Sequence, residues 1–421
     1  MSTPRVHTLA NGVTAICDPA PGYETLALSV VAGRGSRWED QARGGWSHLL
    51  EHMVFKGAGE RSAREIVESI EAQGGQINAA TGHERTSFQV RALKGGLPLA
   101  MAVTADLVQR PTLDAADLAR EKLVVVQEIA EAADTPDDQV FELAQSAAFA
   151  GQPIGRPILG TAEAIQPATP QSLEVWRAAL YAPDRLAISA AGAVDEDELL
   201  RLAETHFGAA SSPEHQAPDA ARFTGGQASE IRRLEQAHLV FLLPAPGILD
   251  EDHFALRLFV EALGGGMSSR LFQEARERQG LAYAIDAFAD VYQDTGVLGV
   301  YAGCLAKDAG KLATVTAQQI KALAAGIEPA ELARVKAQLK AFVFMGRESL
   351  LTRAEQAAAQ IQTFGRLLDP AEIAASIDAV TADDVSRIGA RLTAPGLSTT
   401  GVLGAKAAGD AHRRFEDAVF G

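Results

Sequence analysis

The sequence predicts an α+β protein of two homologous domains, each a mixed β-sheet with helices packed on it. Three observations lead there. The chain has 421 residues, more than a single core of ordinary size organises. A stretch rich in Pro, Ser, Gly and Ala, "GAASSPEHQAPDAARFTGGQ", interrupts it near the midpoint with neither helical nor strand periodicity. The segments on either side then run through a similar order of strands and helices. The expected division is an N-terminal domain over 1–207, a linker over 208–227 and a C-terminal domain over 228–421.

In the first half, "GVTAICDPA" and "TLALSVVAGRGS" are apolar and β-branched runs bounded by turn residues, and read as strands. Residues 46–56 contain no Pro or Gly and form a helix between Gly45 and Gly57. "DAADLAREKLVVVQEIAEAAD" reads as one long helix with Asp114 as its N-cap and Leu123 to Val126 contributing its buried part. "PDRLAISAAGAVDEDELLRLAETHFG" is a strand followed by a helix capped near Asp195. The second half opens with strand-like "SEIRRL" and "AHLVFLLPAPG", then the helix "DHFALRLFVEALGGG". It closes with helical "DPAEIAASIDAVTADDVSRIGARLTA" and strand-like "LSTTGVLG". Strands and helices mix without strict alternation, which favours α+β over a doubly wound parallel sheet.

Composition narrows the function classes. There are 38 basic and 54 acidic side chains, a formal charge of -16. Such a surface repels nucleic acid and anionic membranes and attracts basic peptides. The two cysteines, Cys17 and Cys304, stand far apart with no Cys-x-x-Cys, so no disulfide framework is expected and a reducing compartment follows. The opening "MSTPRVHTLANG" lacks an apolar signal core, and no run of about 18 apolar residues could span a membrane. The expected location is cytoplasmic.

The chemistry centres on "GGWSHLLEHMVFKG", which contains His48, Glu51 and His52 as His-x-x-Glu-His. On a helix, residues i and i+4 share a face, so His48 and His52 can hold one zinc ion, with Glu51 beside them to accept a proton from water. This reversed order is the inverzincin signature. A catalytic zinc takes three protein ligands as a rule. The third is expected on the Asp114–Asp134 helix, where Glu121 and Glu128 lie two turns apart on one face and Glu131 is near; the spacing leaves the choice open.

These segments, taken in order, resemble the pitrilysin/insulinase family of zinc metallopeptidases, and within it the two-domain processing-peptidase-like members. The resemblance rests on "AGRGSRWED" leading into "GGWSHLLEHMVFKG", then "GGQINAATGHERTSFQV", "EKLVVVQEIAE" and "GGGMSSRLFQEARERQGLAYAI", and covers nearly the whole chain. It implies zinc ligands His48, His52 and Glu128, one ion per chain, Glu51 as general base, and Glu121 as the acid that orients a ligand. It implies that Asn78, Ala79 and Ala80 lie on an edge strand that holds substrate backbone, with Ala80 smaller than the residue relatives often carry. Arg276 and Tyr283 match the family's substrate-binding arginine–tyrosine pair. The second half has no His-x-x-Glu-His: its corresponding helix carries only His253, so zinc is expected in the first domain alone. The glycine-rich "GGGMSS" fits no phosphate-binding fingerprint. His7, His83, His206, His215, His238 and His412 lie in no ligand spacing.

The resemblance further implies a zinc endopeptidase acting on peptides or unfolded segments, in which one chain makes half of a clamshell. A homodimer with composite active sites is the expected assembly; a homologous partner subunit is the alternative. The rival readings of function are a non-catalytic subunit and a peptide-binding chamber.

Overall fold

A computed structural model describes residues 4–210 and 217–421. It comprises two compact units, each an antiparallel-dominated sheet with helices on both faces.

The first sheet contains β1 (Arg5–Thr8), β2 (Thr14–Pro19), β3 (Thr25–Ala32), β6 (Gln76–Thr81), β7 (Thr86–Leu93) and β8 (Leu186–Gly192) in the spatial order β1-β2-β8-β3-β7-β6; β4 (Gly57–Ala58) and β5 (Arg61–Ser62) form a separate short hairpin. The second sheet contains β9 (Gly226–Ile231), β10 (Ala237–Ala245), β11 (Ala282–Val291), β12 (Gly296–Cys304) and β13 (Thr399–Gly404) in the order β11-β12-β10-β13-β9. Each sheet has one parallel pairing within an equivalent series, β2 with β8 in the first and β9 with β13 in the second. Each also begins its series with an edge strand, β6 or β11, paired antiparallel to its neighbour. The common topology bears out the expectation of two homologous domains.

Both faces of the central strands are covered, which explains why "TLALSVVA" of β3 is almost continuously apolar rather than alternating. Leu26, Leu28 and Val30 point into the main core with Leu49, Leu50 and Met53. Val31 and Ala27 point the other way and meet Ala354, Ala357 and Ala358 of the Leu350–Phe364 helix. The small alanines allow that helix to lie close to the sheet. The second sheet is covered likewise: Val140 and Ala144 of the Pro136–Ala148 helix pack on Val240, Leu242 and Leu403.

These two covering helices change the division read from the sequence. The first unit comprises 1–130, 157–218 and 345–368, and the second 131–156, 219–344 and 369–421. Each half of the chain therefore supplies one segment to the unit built mainly by the other, a long-range exchange with no local signature in hydrophobic pattern. Within the 208–227 stretch, residues 211–216, and with them His215, lie outside the described residues, while Gly226 and Gln227 already belong to β9. One further expectation is corrected. On the Ala115–Asp134 helix Val125 is fully buried, but Leu123 and Val124 are 68% and 41% exposed, because four consecutive residues of a helix sweep past the narrow stripe that faces the core.

Candidate metal centre

His48, Glu51 and His52 stand on the Trp46–Val54 helix. Its start is set by Gly45, held at φ 90° where a side chain would strike the Leu159 carbonyl oxygen at 2.4 Å. No side chain within the helix caps it. Glu39, 3% exposed, does so from outside: its carboxylate accepts from the Gly45 and Ser47 amides at 2.8 and 2.7 Å. Glu39 carries no motif spacing, and sequence reasoning missed it.

The two imidazoles lie on one face with ring centroids 4.7 Å apart. Burial, with a smaller effect from His52, pushes His48 down to about 4, so it is neutral at pH 7 and its lone pair is free. Glu128 reaches both rings: its Oε2 lies 3.9 Å from His48 Nε2 and 3.3 Å from His52 Nε2. Among the described residues, one group of His, Cys, Asp or Glu side chains could hold a metal ion, and it is His48, His52 and Glu128, with ligand atoms all within 4.8 Å of one another. Between Glu121 and Glu128, the fold thus brings Glu128 to the histidines; Glu131 is exposed and does not join them.

Glu121, 6% exposed, accepts from His52 Nδ1 at 3.2 Å and pairs with Lys56 Nζ at 2.7 Å. In the neutral tautomer that donates Nδ1–H to Glu121, His52 carries its Nε2 lone pair towards the Glu128 carboxylate. Two lone-pair-bearing atoms at 3.3 Å repel unless a cation lies between them. His48 Nδ1, Glu51 Oε2 and Glu128 Oε2 are all buried without a hydrogen-bond partner among the described residues. Such a cluster of orphaned polar atoms is costly unless an ion or water completes it. When ionised, the three glutamates and Lys56 leave two negative charges, which a divalent cation balances.

Glu51 sits beside the cluster. Burial raises its carboxyl above the ordinary range; neighbouring Thr81 and His52 oppose this. Burial, with a smaller contribution from the Glu128 charge, prevails over them. Thr81 ends β6, the edge strand of the first sheet. Asn78 and Ala80 are exposed on that strand, and Ala79 is buried opposite Phe88. A groove of about 750 Å³ runs alongside, lined by Phe55, Val67, Ile77, Asn78, Arg91 and Leu351.

In the second unit, Arg276 lies on the π-helical turn Phe272–Arg278 and Tyr283 near the start of β11. The Arg276 guanidinium stands 5.7 Å from the Tyr283 ring centroid and 4.6 Å from that of Phe272. The β11–β12 register shifts between Ala282 and Ala284, so Tyr283 is the bulged residue, and it is 76% exposed. Bulge and π-turn together re-aim the pair outwards, which residue spacing alone does not reveal.

Comparisons with known proteins agree with this geometry. The family profile described as insulinase (peptidase family M16) matches residues 16–162, and that described as the peptidase M16 inactive domain matches residues 167–339. A protein of Rickettsia bellii described as an uncharacterized zinc protease is 33% identical over 95% of this chain and 97% of its own length. One of Mycobacterium tuberculosis, described in the same words, is 34% identical over 92% of this chain and 90% of its own. A solved protease from Helicobacter pylori shares the fold with a TM-score of 0.88 at 21% identity, covering 96% of this chain and 99% of that one. Among the described residues, no helix is long and apolar enough to cross a membrane.

Proposed function

We propose, for a chain that belongs to the insulinase family of peptidases, M16, that it is a zinc-dependent endopeptidase acting on peptides or unfolded segments as a cytoplasmic homodimer. The observation that carries this reading is the convergence of His48, His52 and Glu128 beside the half-buried Glu51, whose Oε2 is buried and unpartnered.

Two imidazoles and one carboxylate suit zinc, and relatives are described as zinc proteases. His48, His52 and Glu128 would hold the ion, and bound there it supplies Lewis-acid chemistry that polarises a scissile carbonyl and acidifies water. Glu51 takes the proton of the attacking water and passes it to the leaving amine. The open side of β6 offers backbone groups of Asn78, Ala79 and Ala80 to an extended peptide, a strand-addition mode of binding. Arg276 and Tyr283 donate to the substrate carbonyl and backbone, and the acidic chain draws in basic peptides.

Elemental analysis is expected to find one zinc ion per chain, and chelation to stop cleavage of a quenched peptide until zinc is returned. Zinc bound without cleavage would favour the non-catalytic readings. Glu121→Gln is expected to weaken zinc binding about 10- to 100-fold, and Glu128→Gln, which removes a ligand, by more. Unchanged zinc content in Glu128→Gln would place the third ligand elsewhere.

The homodimer is proposed because one chain carries both the metal set and the Arg276–Tyr283 pair in separate units, and a two-fold assembly can present one chain's set to the other's pair. Chains bearing Glu51→Gln and Tyr283→Phe, each inactive alone, are expected to regain activity when mixed, since one site of each mixed dimer is then intact. Verified mixed dimers that stay inactive would rule out sites composed in this way.

A further inference from the structure

Lys56 lies two residues beyond the last residue of the metal helix, Val54. Its ammonium is 2.7 Å from Glu121 Oε1, and the other oxygen of that carboxylate is 3.2 Å from His52 Nδ1. Across the imidazole ring, His52 Nε2 faces Glu128 Oε2 at 3.3 Å. Four groups thus form a line from Lys56 through Glu121 and His52 to the ligand cluster. We infer that Lys56 is a positioning residue for the metal centre, holding Glu121 as a charged and oriented acceptor so that His52 keeps Nδ1 protonated and Nε2 free to ligate. This rests on the zinc reading above and adds a residue to it.

The physical case has two parts. The Glu121 side chain is only 8% exposed, and an anion so placed needs an opposite charge as well as a hydrogen bond. The Nδ1–H of His52 supplies the second; Lys56 supplies the first. In addition, a carboxylate held by a single contact can swing about it. Here each oxygen has its own partner, so pinning Oε1 to Lys56 fixes where Oε2 points, and Oε2 fixes the plane and tautomer of His52.

Two effects of removing Lys56 oppose one another, and this makes the inference testable. Loss of a positive charge near the site would by itself strengthen the binding of a cation. Loss of His52 orientation would weaken it. Lys56 is 36% exposed, so solvent screens its charge at the more distant metal position, while the direct contact to Glu121 is lost in full. Positioning should therefore prevail.

The experiment measures zinc affinity of the full chain by chelator competition, and the visible absorption spectrum of the cobalt-substituted protein. Lys56→Met is expected to lower zinc affinity about 10-fold, the lower end of the effect of groups that support a ligand, and to alter the cobalt spectrum. Lys56→Arg, which keeps charge and donors, should restore both. In a Glu121→Gln background, Lys56→Met should cause no further loss, since the line is already broken. Zinc affinity that is unchanged or increased in Lys56→Met overturns the inference, as does an equal loss in the Glu121→Gln background. If Lys56→Met unfolds the chain, the Lys56→Arg and Lys56→Gln pair decides: equal affinity in the two overturns it. Failure of the zinc reading is distinguishable, because then the unsubstituted chain takes up no zinc, or His48→Ala and His52→Ala leave uptake unaltered.

Discussion

Glu51→Gln is expected to lower kcat for peptide hydrolysis about 10²- to 10⁴-fold, the range a positioned general base contributes, while zinc content stays that of the unsubstituted chain. The substitution is nearly isosteric and removes only the capacity to take up a proton. The ligand atoms of His48, His52 and Glu128 are untouched by it, and the His52–Glu121–Lys56 contacts lie on other groups. Glu51 is half-buried on the same helix as the two histidines, with its Oε2 buried and unpartnered, so no other described carboxylate is as well placed to replace it. The measurement pairs elemental analysis with turnover of a quenched peptide. Turnover near that of the unsubstituted chain would remove Glu51 from the chemistry; loss of zinc along with activity would make it a structural group instead.

Arg353→Ala is expected to destabilise the chain by about 3–5 kcal/mol, the cost of leaving one half of a buried ion pair without its partner. Arg353 stands on the Leu350–Phe364 helix and Asp18 on β2, and the guanidinium meets the carboxylate with two hydrogen bonds, Nε to Oδ2 at 2.8 Å and an η-nitrogen to Oδ1 at 2.5 Å. Their side chains are 2% and 1% exposed. The pair pins the helix donated by the second half of the chain to the sheet of the first unit. Replacing both residues, as Asp18→Leu with Arg353→Met, should cost much less than Arg353→Ala alone, because no charge is then left buried. Denaturant unfolding of the three proteins checks this. A double variant as unstable as the single one would show that the two charges hold the helix through other partners.

The zinc-site histidines were legible because their signal is local. His48 and His52 are four residues apart on one short helix, and helical geometry alone puts them on one face. The same is true of the Asp195 cap and of Asp114, whose carboxylate accepts from the Ala116 and Asp117 amides at 2.8 and 3.0 Å. The choice between Glu121 and Glu128 was not local. Both lie on one helix face, and only the packing of that helix against the Trp46–Val54 helix puts one at the lone pairs of the histidines and the other at the far nitrogen of His52.

By itself, then, the sequence determined the α+β character and the metal helix, since each depends on periodicity or spacing within about 20 residues, and the duplicated order of elements, since that repeats the same local patterns in each half. Only the tertiary structure decided the rest. It exchanges the Pro136–Ala148 and Leu350–Phe364 helices between the two units, a choice made by complementarity of small residues to a distant sheet. It brings Glu39 to cap a helix that lacks its own capping side chain, and Lys56 to a carboxylate 65 positions along the chain. Burial, orphaned polar atoms and charge pairing arise when remote segments meet, and a linear pattern carries no record of which segments those are.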